Sequence, residues 1–191
     1  MPVAEFGKKL NLPSNQSTFV KLKSKGEKIK FRIANTPHYE TLHFINDGRE
    51  VVLCGKFNSE DKDGLCTYCD QYVKAVDSDD KKLARALAPV TTFYYPVLNL
   101  ETGKACIFQF TAKGIHYTIG GYSDEGVDVF GCDWTVERTE EKGNYYKVLR
   151  LGDKPLPKEL KEEYERASKL KLKARESSSV VLDEEVPVED Q

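Results

Sequence analysis

The sequence has no long hydrophobic run. No apolar stretch approaches the roughly 20 residues that a membrane-spanning helix needs, and the opening segment MPVAEFGKKLNLPS lacks the apolar core of a secretory signal. The five cysteines are an odd number in a chain without an export signal, which argues against a disulfide framework. These absences exclude the membrane-spanning and disulfide-stapled secreted classes, and they predict a soluble protein of a reducing compartment, the cytoplasm.

The sequence also has few features of an active site. A phosphate-binding loop needs Gly-x-x-x-x-Gly-Lys-Ser/Thr, and around Gly103-Lys104 both the first glycine and the hydroxyl residue are missing. Asp128 and Asp133 flank a predicted strand, but a nuclease site also needs a lysine at a fixed spacing, and none stands out. We therefore expect that this protein is not an enzyme.

Charge is distributed unevenly along the chain. Residues 183–190 (DEEVPVED) hold five acidic groups and no basic one, so the formal net charge of −2 hides a remainder with 29 basic and 26 acidic residues. The first 35 residues have the opposite bias, with eight basic side chains and two acidic ones. A basic N-terminal segment and an acidic C-terminal tail on one chain predict a polyanionic partner. They also predict that the tail competes with this partner for the basic surface.

Alternating hydrophobic residues predict several short strands. FVKLKSKGEKIKFRI predicts a hairpin with its turn at SKGEK, and TLHFI and REVVLC predict a second hairpin around Asp-Gly. Residues 66–88 contain a helical stretch that Pro89 ends. VTTFYYPVLNL and KACIFQFTA are predicted strands joined by ETG, and DVFGCDWTVERTE and NYYKVLRL predict a last hairpin around EKG.

This order of elements predicts a mainly β fold, a small closed barrel with an insertion, a short internal helix and a C-terminal helix. The chain divides into a flexible basic N-terminal arm at 1–17 and a core at 18–152, whose metal-binding insertion spans about 43–72. A Pro-led, highly charged helix is predicted at 153–176. The Ser, Pro and acidic composition of residues 177–191 predicts a disordered acidic tail.

The segment GREVVLCGKFNSEDKDGLCTYCDQY, residues 48–72, holds three of the five cysteines. Cys66 and Cys69 form a C-x-x-C pair, by which one tight turn supplies two zinc ligands. Cys54 and His43 complete a Cys₃His set, with His38 as the alternative histidine. A redox C-x-x-C is the competing interpretation, because CTYC precedes a helix. The two further ligands nearby favour zinc.

A closed site of this kind would have a structural role. Four protein ligands leave no open coordination position at which water could be activated, so we expect one structural zinc ion. The remaining cysteines, Cys106 and Cys132, lie inside apolar strands and are predicted to be small core residues.

Aromatic residues are grouped on successive strands, in TTFYYPVLNL, CIFQF and NYYKVLRL. Single-stranded nucleic acid binds by stacking its bases on such rings in a basic groove. The same rings can also fill a core, since Cys106, Phe108 and Phe110 share one face of a strand. Tyr94 and Tyr95 are adjacent and point to opposite faces, so we expect at least one of them to face solvent.

The segments GLCTYCDQYVKA, TTFYYPVLNLETGKACIFQF and DVFGCDW together resemble the core of the phage single-stranded DNA-binding proteins of the T-even helix-destabilising type. The resemblance covers roughly residues 29–152, and the tail by composition. It implies an OB-fold with a zinc-binding insertion, and sequence-independent binding of single-stranded DNA during replication, recombination and repair. It also implies a basic arm that supports cooperative binding, an acidic tail that contacts replication and recombination proteins, and a location in the host cytoplasm.

Carried over to this chain, the resemblance assigns zinc to His43, Cys54, Cys66 and Cys69. It also places Phe93 and Phe108 where the family has DNA-contacting tyrosines. The family's basic triplet before TTFYY is APV here, and its N-terminal cooperativity motif is reduced to Lys8-Lys9. The residues predicted to contact DNA are Lys30, Arg32, Lys56, Arg85, Phe93, Tyr94, Phe108, Trp134 and Tyr145, and those predicted to bind partner proteins are Asp183, Glu184, Glu185, Glu189 and Asp190. The alternative function is a zinc-containing protein-interaction adaptor of a replication or recombination complex.

Overall fold

The computed structural model describes residues 19–46, 50–58, 65–143, 145–170 and 180–181. These residues form a mixed α/β structure with a core that is mostly sheet. The strands are β1 (Phe19–Val20), β2 (Lys28–Ile33), β3 (His38–Ile45), β4 (Glu50–Leu53), β5 (Val90–Asn99), β6 (Lys104–Phe110), β7 (Cys132–Arg138), β8 (Tyr146–Asp153) and β9 (Val180–Val181). The helices are α1 (Gly55–Asn58), α2 (Thr67–Asp77), α3 (Lys81–Leu87), α4 (Lys113–Asp124) and α5 (Lys161–Ser168), the last preceded by a 3₁₀ turn at Lys158–Leu160.

The chain folds as two compact units. Among the described residues, unit 1 contains 40–46, 50–58, 65–91 and 180–181, and unit 2 contains 19–39, 92–143 and 145–170. The predicted N-terminal arm at 1–17 lies outside the described residues, and so does the predicted acidic tail apart from Val180 and Val181. In the described part of the chain, no helix combines the length and the apolar character needed to cross a membrane.

Unit 2 is built on an antiparallel sheet in the order β8-β7-β2-β5-β6. The alternating residues Ile29, Phe31 and Ile33 of β2 point into its core, as the period of a strand requires. Phe108 and Trp134, both fully buried, belong to the same cluster. Helix α4 contributes buried isoleucines to this core, so the unit is a sheet with a helix packed on its apolar face.

The first predicted hairpin is wrong. β1 runs parallel to β6, with Phe19 opposite Ile107 and Val20 opposite Phe108, while β2 pairs with β5 and β7. The alternation in the sequence is real, because it sets which side chains face the core. A period of two does not select the partner strand, however, and here β6 is the partner of β1.

The other three predicted strand pairs are confirmed. β3 and β4 are antiparallel, with His43 opposite Val52, although the Asp-Gly turn at 47–48 lies outside the described residues. β5 and β6 form a hairpin, whose connecting loop ends at Gly103 in the left-handed conformation, with φ of 67°. β7 and β8 form the last hairpin, which has a register shift at Asp133/Trp134.

The helical content is higher than the sequence pattern predicted. The stretch at 66–88 is two helices, because Asp79 takes a positive φ of 56° and the Asp80 side chain accepts a hydrogen bond from the Leu83 N–H to start α3. Helix α4 was not predicted at all. Its three glycines weaken the local helical signal, but Ile115 and Ile119 lie one turn apart and are buried in the core of unit 2.

The C-terminal helix begins later than predicted, at Lys161 rather than at residue 153. Helix α5 spans Lys161–Ser168, and residues 171–176 of the predicted helix lie outside the described residues. In unit 1, β9 pairs antiparallel with β4, with Val180 opposite Val51 and Val181 opposite Glu50. These two valines lie within the segment predicted to be a disordered tail, and for the rest of that segment disorder stays a prediction.

Candidate metal centre and the predicted DNA contacts

Four potential metal ligands converge in unit 1. His43 comes from β3, Cys54 follows β4, and Cys66 and Cys69 lie at the start of α2. One ligand atom from each lies within 4.8 Å of the others. The predicted set is therefore brought together with His43, and not His38, as its histidine. This cluster can bind a metal ion.

The distances within the cluster suit a small tetrahedral site. The Cys54 and Cys69 sulfurs are 3.4 Å apart, and the Nε2 atom of His43 lies 3.3 Å from Cys66 Sγ and 3.4 Å from Cys69 Sγ. A tetrahedral ion with metal–sulfur bonds of about 2.3 Å and metal–nitrogen bonds of about 2.0 Å separates its ligands by roughly 3.5–3.8 Å. These three pairs of donor atoms thus need to separate by only a few tenths of an ångström more, and the remaining pairs lie within 4.8 Å of each other.

A backbone carbonyl sets the tautomer of His43. The Nδ1 atom lies 2.8 Å from the carbonyl oxygen of Leu87, and because a carbonyl only accepts, Nδ1 carries the proton and donates it. The Nε2 lone pair is consequently left to face the thiols, which is the arrangement that a metal-binding histidine requires. No sequence pattern indicates that the Leu87 carbonyl is the partner of His43, because the carbonyl oxygen is a main-chain atom at the end of α3.

Asn58 holds the loop that carries Cys54. Its side-chain amide donates to the carbonyl oxygens of Cys54, at 2.6 Å, and of Thr41, at 2.7 Å. Its side-chain oxygen accepts from the Thr41 N–H at 2.9 Å, and the Cys54 N–H donates to the Thr41 carbonyl. The last residue of α1 thereby ties the cysteine to β3, the strand of His43. Sequence reasoning missed this asparagine, whose only signal was its place four residues after a ligand.

Cys66 occupies the N-cap position of α2. Burial acts to raise the pKa of its thiol, but the backbone N–H groups of Cys69 and Tyr68 and the neighbouring thiols favour the thiolate, and the pKa falls below its usual value. Burial raises the pKa of Cys69 to about 12. The N-terminus of α2 thus favours ionisation of the Cys66 thiol, whereas the Cys69 thiol needs a cation beside it to ionise.

All four side chains are shielded from water. The exposed fraction is 0% for His43 and Cys54, 8% for Cys66 and 5% for Cys69. Tyr68 packs against the three cysteines, and its ring lies 5.6 Å from that of His43. An ion bound here has four buried protein donors, so the cluster is suited to stabilising the fold of unit 1.

Four of the five aromatic residues predicted to contact DNA are buried, and these predictions are corrected. The exposed fractions are 4% for Phe93, 3% for Tyr94 and 0% for Phe108 and Trp134, so none offers a ring face to a base. Three of them belong to the main core of unit 2. Tyr145 is different, since it is 63% exposed and precedes β8.

The expectation that at least one of Tyr94 and Tyr95 faces solvent is wrong. Tyr94 and Tyr95 point to opposite faces of β5, as expected, yet both are buried. Tyr95 packs in the main core, and Tyr94 packs with Ile107 and Leu170, the latter just beyond α5. The C-terminal helical segment covers the face that was predicted to meet solvent.

The basic residues predicted to contact phosphate differ in exposure. Arg32 is 5% exposed, and its Nη2 atom lies 2.6 Å from Asp133 Oδ1 and 2.7 Å from the Lys154 carbonyl oxygen. This prediction is corrected, because the guanidinium is already paired inside unit 2. Lys30 is half-buried on β2, and Lys56 and Arg85 are exposed on the helices of unit 1.

Several exposed rings lie outside the residues that the sequence predicted as DNA contacts. Among them, Tyr39 and Tyr117 are 47% and 66% exposed, and neither lies in the aromatic groups described above, since each is flanked directly by two polar residues. The core cysteines Cys106 and Cys132 are confirmed, with exposed fractions of 5% and 0%. The predicted partner-binding acids between 183 and 190 lie outside the described residues.

No protein-family model matches the chain, and no curated protein matches it.

Proposed function

We propose that this protein binds single-stranded DNA without sequence preference, and that it protects the strand and removes its secondary structure during replication, recombination and repair. One observation carries the proposal. The four residues that the resemblance assigns as zinc ligands, which lie between positions 43 and 69, form one buried cluster within 4.8 Å. The most specific motif of the resemblance is therefore supported by geometry as well as by spacing.

The proposed ion is a single zinc. Three thiols and one imidazole are a soft, nitrogen- and sulfur-rich donor set of the kind that structural zinc prefers. His43, Cys54, Cys66 and Cys69 would hold it, and the ion would supply folding energy to unit 1 rather than chemistry. The protein is proposed not to be an enzyme.

The proposed fold is an OB-fold barrel with the metal-binding residues inserted into it. Support comes from unit 2, where five antiparallel strands in the order β8-β7-β2-β5-β6 contribute side chains to an aromatic-rich core. Such barrels bind single strands through exposed rings and basic side chains on the sheet and its loops. Lys30, Lys56, Arg85 and Tyr145 keep at least part of their side chains accessible and remain candidate contacts.

Fluorescence anisotropy of a labelled oligothymidylate tests this function directly. We expect saturable binding that tolerates changes of base sequence, is much weaker for duplex DNA, and declines linearly with the logarithm of salt concentration at a slope of about −0.7 per phosphate neutralised. A parallel RNA titration reports sugar preference. Lack of binding to every single strand at low salt would contradict the proposal.

A second candidate function is a zinc-containing adaptor that binds protein. It is favoured by apolar side chains on the helices of unit 1, since Val73 and Val76 are each 51% exposed and Leu83 is 45% exposed. The same anisotropy experiment separates the two functions. An adaptor would retain zinc and a cooperative fold while leaving the oligonucleotides free.

A further inference from the structure

Four aromatic rings form a continuous row in unit 2. The ring centroids of Tyr39 and Phe93 are 6.2 Å apart, those of Phe93 and His116 are 4.6 Å apart, and those of His116 and Tyr117 are 5.9 Å apart. The two end members are largely exposed, Tyr39 by 47% and Tyr117 by 66%, while Phe93 is 4% exposed. The row therefore has a buried ring, Phe93, in its middle and two accessible rings at its ends.

The middle of the row is held rigidly. The ring of His116 stacks on Phe93 with an interplanar angle of 22°, and Phe93 in turn stacks on Phe110 at 18°. The Tyr95 hydroxyl and His116 Nδ1 are hydrogen-bonded at 2.8 Å. Burial lowers the pKa of His116, so the imidazole is a neutral, flat ring at neutral pH. A surface with fixed rings loses little conformational entropy when a ligand stacks on it.

A positive charge lies beside the Tyr117 end of the row. Lys113 is exposed and lies three and four residues before His116 and Tyr117 on α4, so the three side chains occupy the same side of the helix. The sequence has no acidic residue between Glu101 and Asp124, a segment that includes β6 and most of α4. A cation beside stacked rings is the combination that binds both the phosphates and the bases of a single strand.

We infer that Tyr39, His116 and Tyr117 form a stacking surface for unpaired nucleobases, with Lys113 contacting the phosphate backbone. One base stacks on Tyr117 and another at the Tyr39 end of the row. The inference rests on the proposed function and identifies where the strand lies on unit 2. Every base has a π face, so this surface takes single strands of any sequence.

Ring truncation tests the surface. In anisotropy titrations with a labelled oligothymidylate, Tyr117→Ala and Tyr39→Ala are each expected to weaken binding roughly 5- to 150-fold, the loss of one stacked base. Tyr117→Phe keeps the ring and is expected to bind as the unchanged protein does. Phe130→Ala is the matched control, because Phe130 is also exposed, by 38%, but is not part of the row.

Photocrosslinking supplies a measurement that does not depend on substitution. A single strand that carries 5-iodouracil crosslinks to rings on which the modified base stacks, and we expect peptides containing Tyr39 or Tyr117 to be labelled. Crosslinks confined to other peptides would overturn the inference even if an alanine variant failed to fold.

The possible outcomes separate the two proposals. If the unchanged protein binds and folded Tyr39→Ala and Tyr117→Ala variants bind equally well, the stacking surface is wrong and the proposed function stands. If the unchanged protein binds no single strand, both are wrong. Equal losses in the two tyrosine variants and in Phe130→Ala would also overturn the inference, because they would indicate a general loss of exposed apolar surface.

Discussion

At the scale of single residues, the metal cluster depends on atoms that are not themselves ligands. The Leu87 carbonyl sets the tautomer of His43, and Asn58 fixes the main chain at Cys54. Because these contacts orient the donors before any ion binds, the loss of one ligand should abolish binding rather than shift it to a neighbouring group.

Cys66→Ser should therefore remove the metal. We expect the unchanged protein to contain one zinc per chain, and the variant to contain none and to lose several kcal/mol of folding free energy, about as much as a chelator removes. Elemental analysis together with thermal unfolding checks this. Cys106→Ser is the matched control, since Cys106 is also buried but lies in unit 2, and it should retain the metal. Freshly purified protein without zinc would contradict the assignment.

The buried ion pair between Arg32 and Asp133 gives a second prediction at this scale. The two side chains are 6% and 10% exposed, and removing one partner leaves an uncompensated buried charge. Asp133→Ala should lower the free energy of unfolding by about 3–5 kcal/mol in urea denaturation. The double variant Arg32→Met with Asp133→Leu should recover most of that loss, because it removes both charges together.

If Asp133→Ala unfolded at the same urea concentration as the unchanged protein, the ion pair would have no structural role. Arg32 would then be available for phosphate again, and Arg32→Met alone should weaken DNA binding without loss of stability.

At the scale of the element, glycine has opposite effects at two positions. A Cβ atom at Gly55 would lie 2.6 Å from the Leu65 carbonyl oxygen, so the start of α1 and the chain entering the C-x-x-C turn approach too closely for a side chain. Gly55→Ala should consequently displace one of these segments and lower both metal affinity and melting temperature. Metal titration monitored by a colorimetric zinc indicator checks the first effect.

Gly120 in α4 is the contrasting case. No heavy atom lies within 4 Å of a Cβ placed there, and a helix interior favours alanine over glycine. Gly120→Ala should therefore raise the free energy of unfolding by about 0.5–1 kcal/mol and leave metal content unchanged. A decrease in stability would show that this turn of α4 is not helical in solution.

At the scale of the whole molecule, the charge asymmetry of the sequence predicts a tail that competes with DNA. A tethered polyanion has a high effective concentration near basic groups on its own chain. Deleting the tail would also remove β9, which pairs with β4, so substitution is the sharper experiment. Neutralising Asp183, Glu184, Glu185, Glu189 and Asp190 to their amides retains Val180 and Val181.

The neutralised variant should bind single strands more tightly than the unchanged protein does, and the gain should shrink as salt rises, since exposed charges are screened over about 8–10 Å at physiological ionic strength. Anisotropy at two salt concentrations measures this. Neutralising exposed acids on α5, such as Glu162 and Glu165, is the control. Identical salt-dependent curves for the tail variant and the unchanged protein would rule out competition.

The sequence by itself determined the features that depend on neighbouring residues. The C-x-x-C pair at the start of α2 supplied two ligands of the cluster, and Cys54 nearby indicated a third, whereas the choice of His43 over His38 came from the structure. Alternation identified the inward side chains of β2, and the β5–β6 and β7–β8 hairpins followed from their turns. Each of these rests on a local period or a local turn, which a short segment specifies without the rest of the chain.

Only the tertiary structure decided which distant segments pack against each strand and each side chain. It placed β1 beside β6, paired Arg32 with an aspartate 101 residues away, and buried Tyr94 beneath the segment that follows α5. It also joined Tyr39, Phe93 and His116, from three distant parts of the chain, into one row. The hydrophobic period of a strand indicates which way each side chain points. The exposure of that side chain depends on the free energy of packing distant segments together, which no local pattern contains.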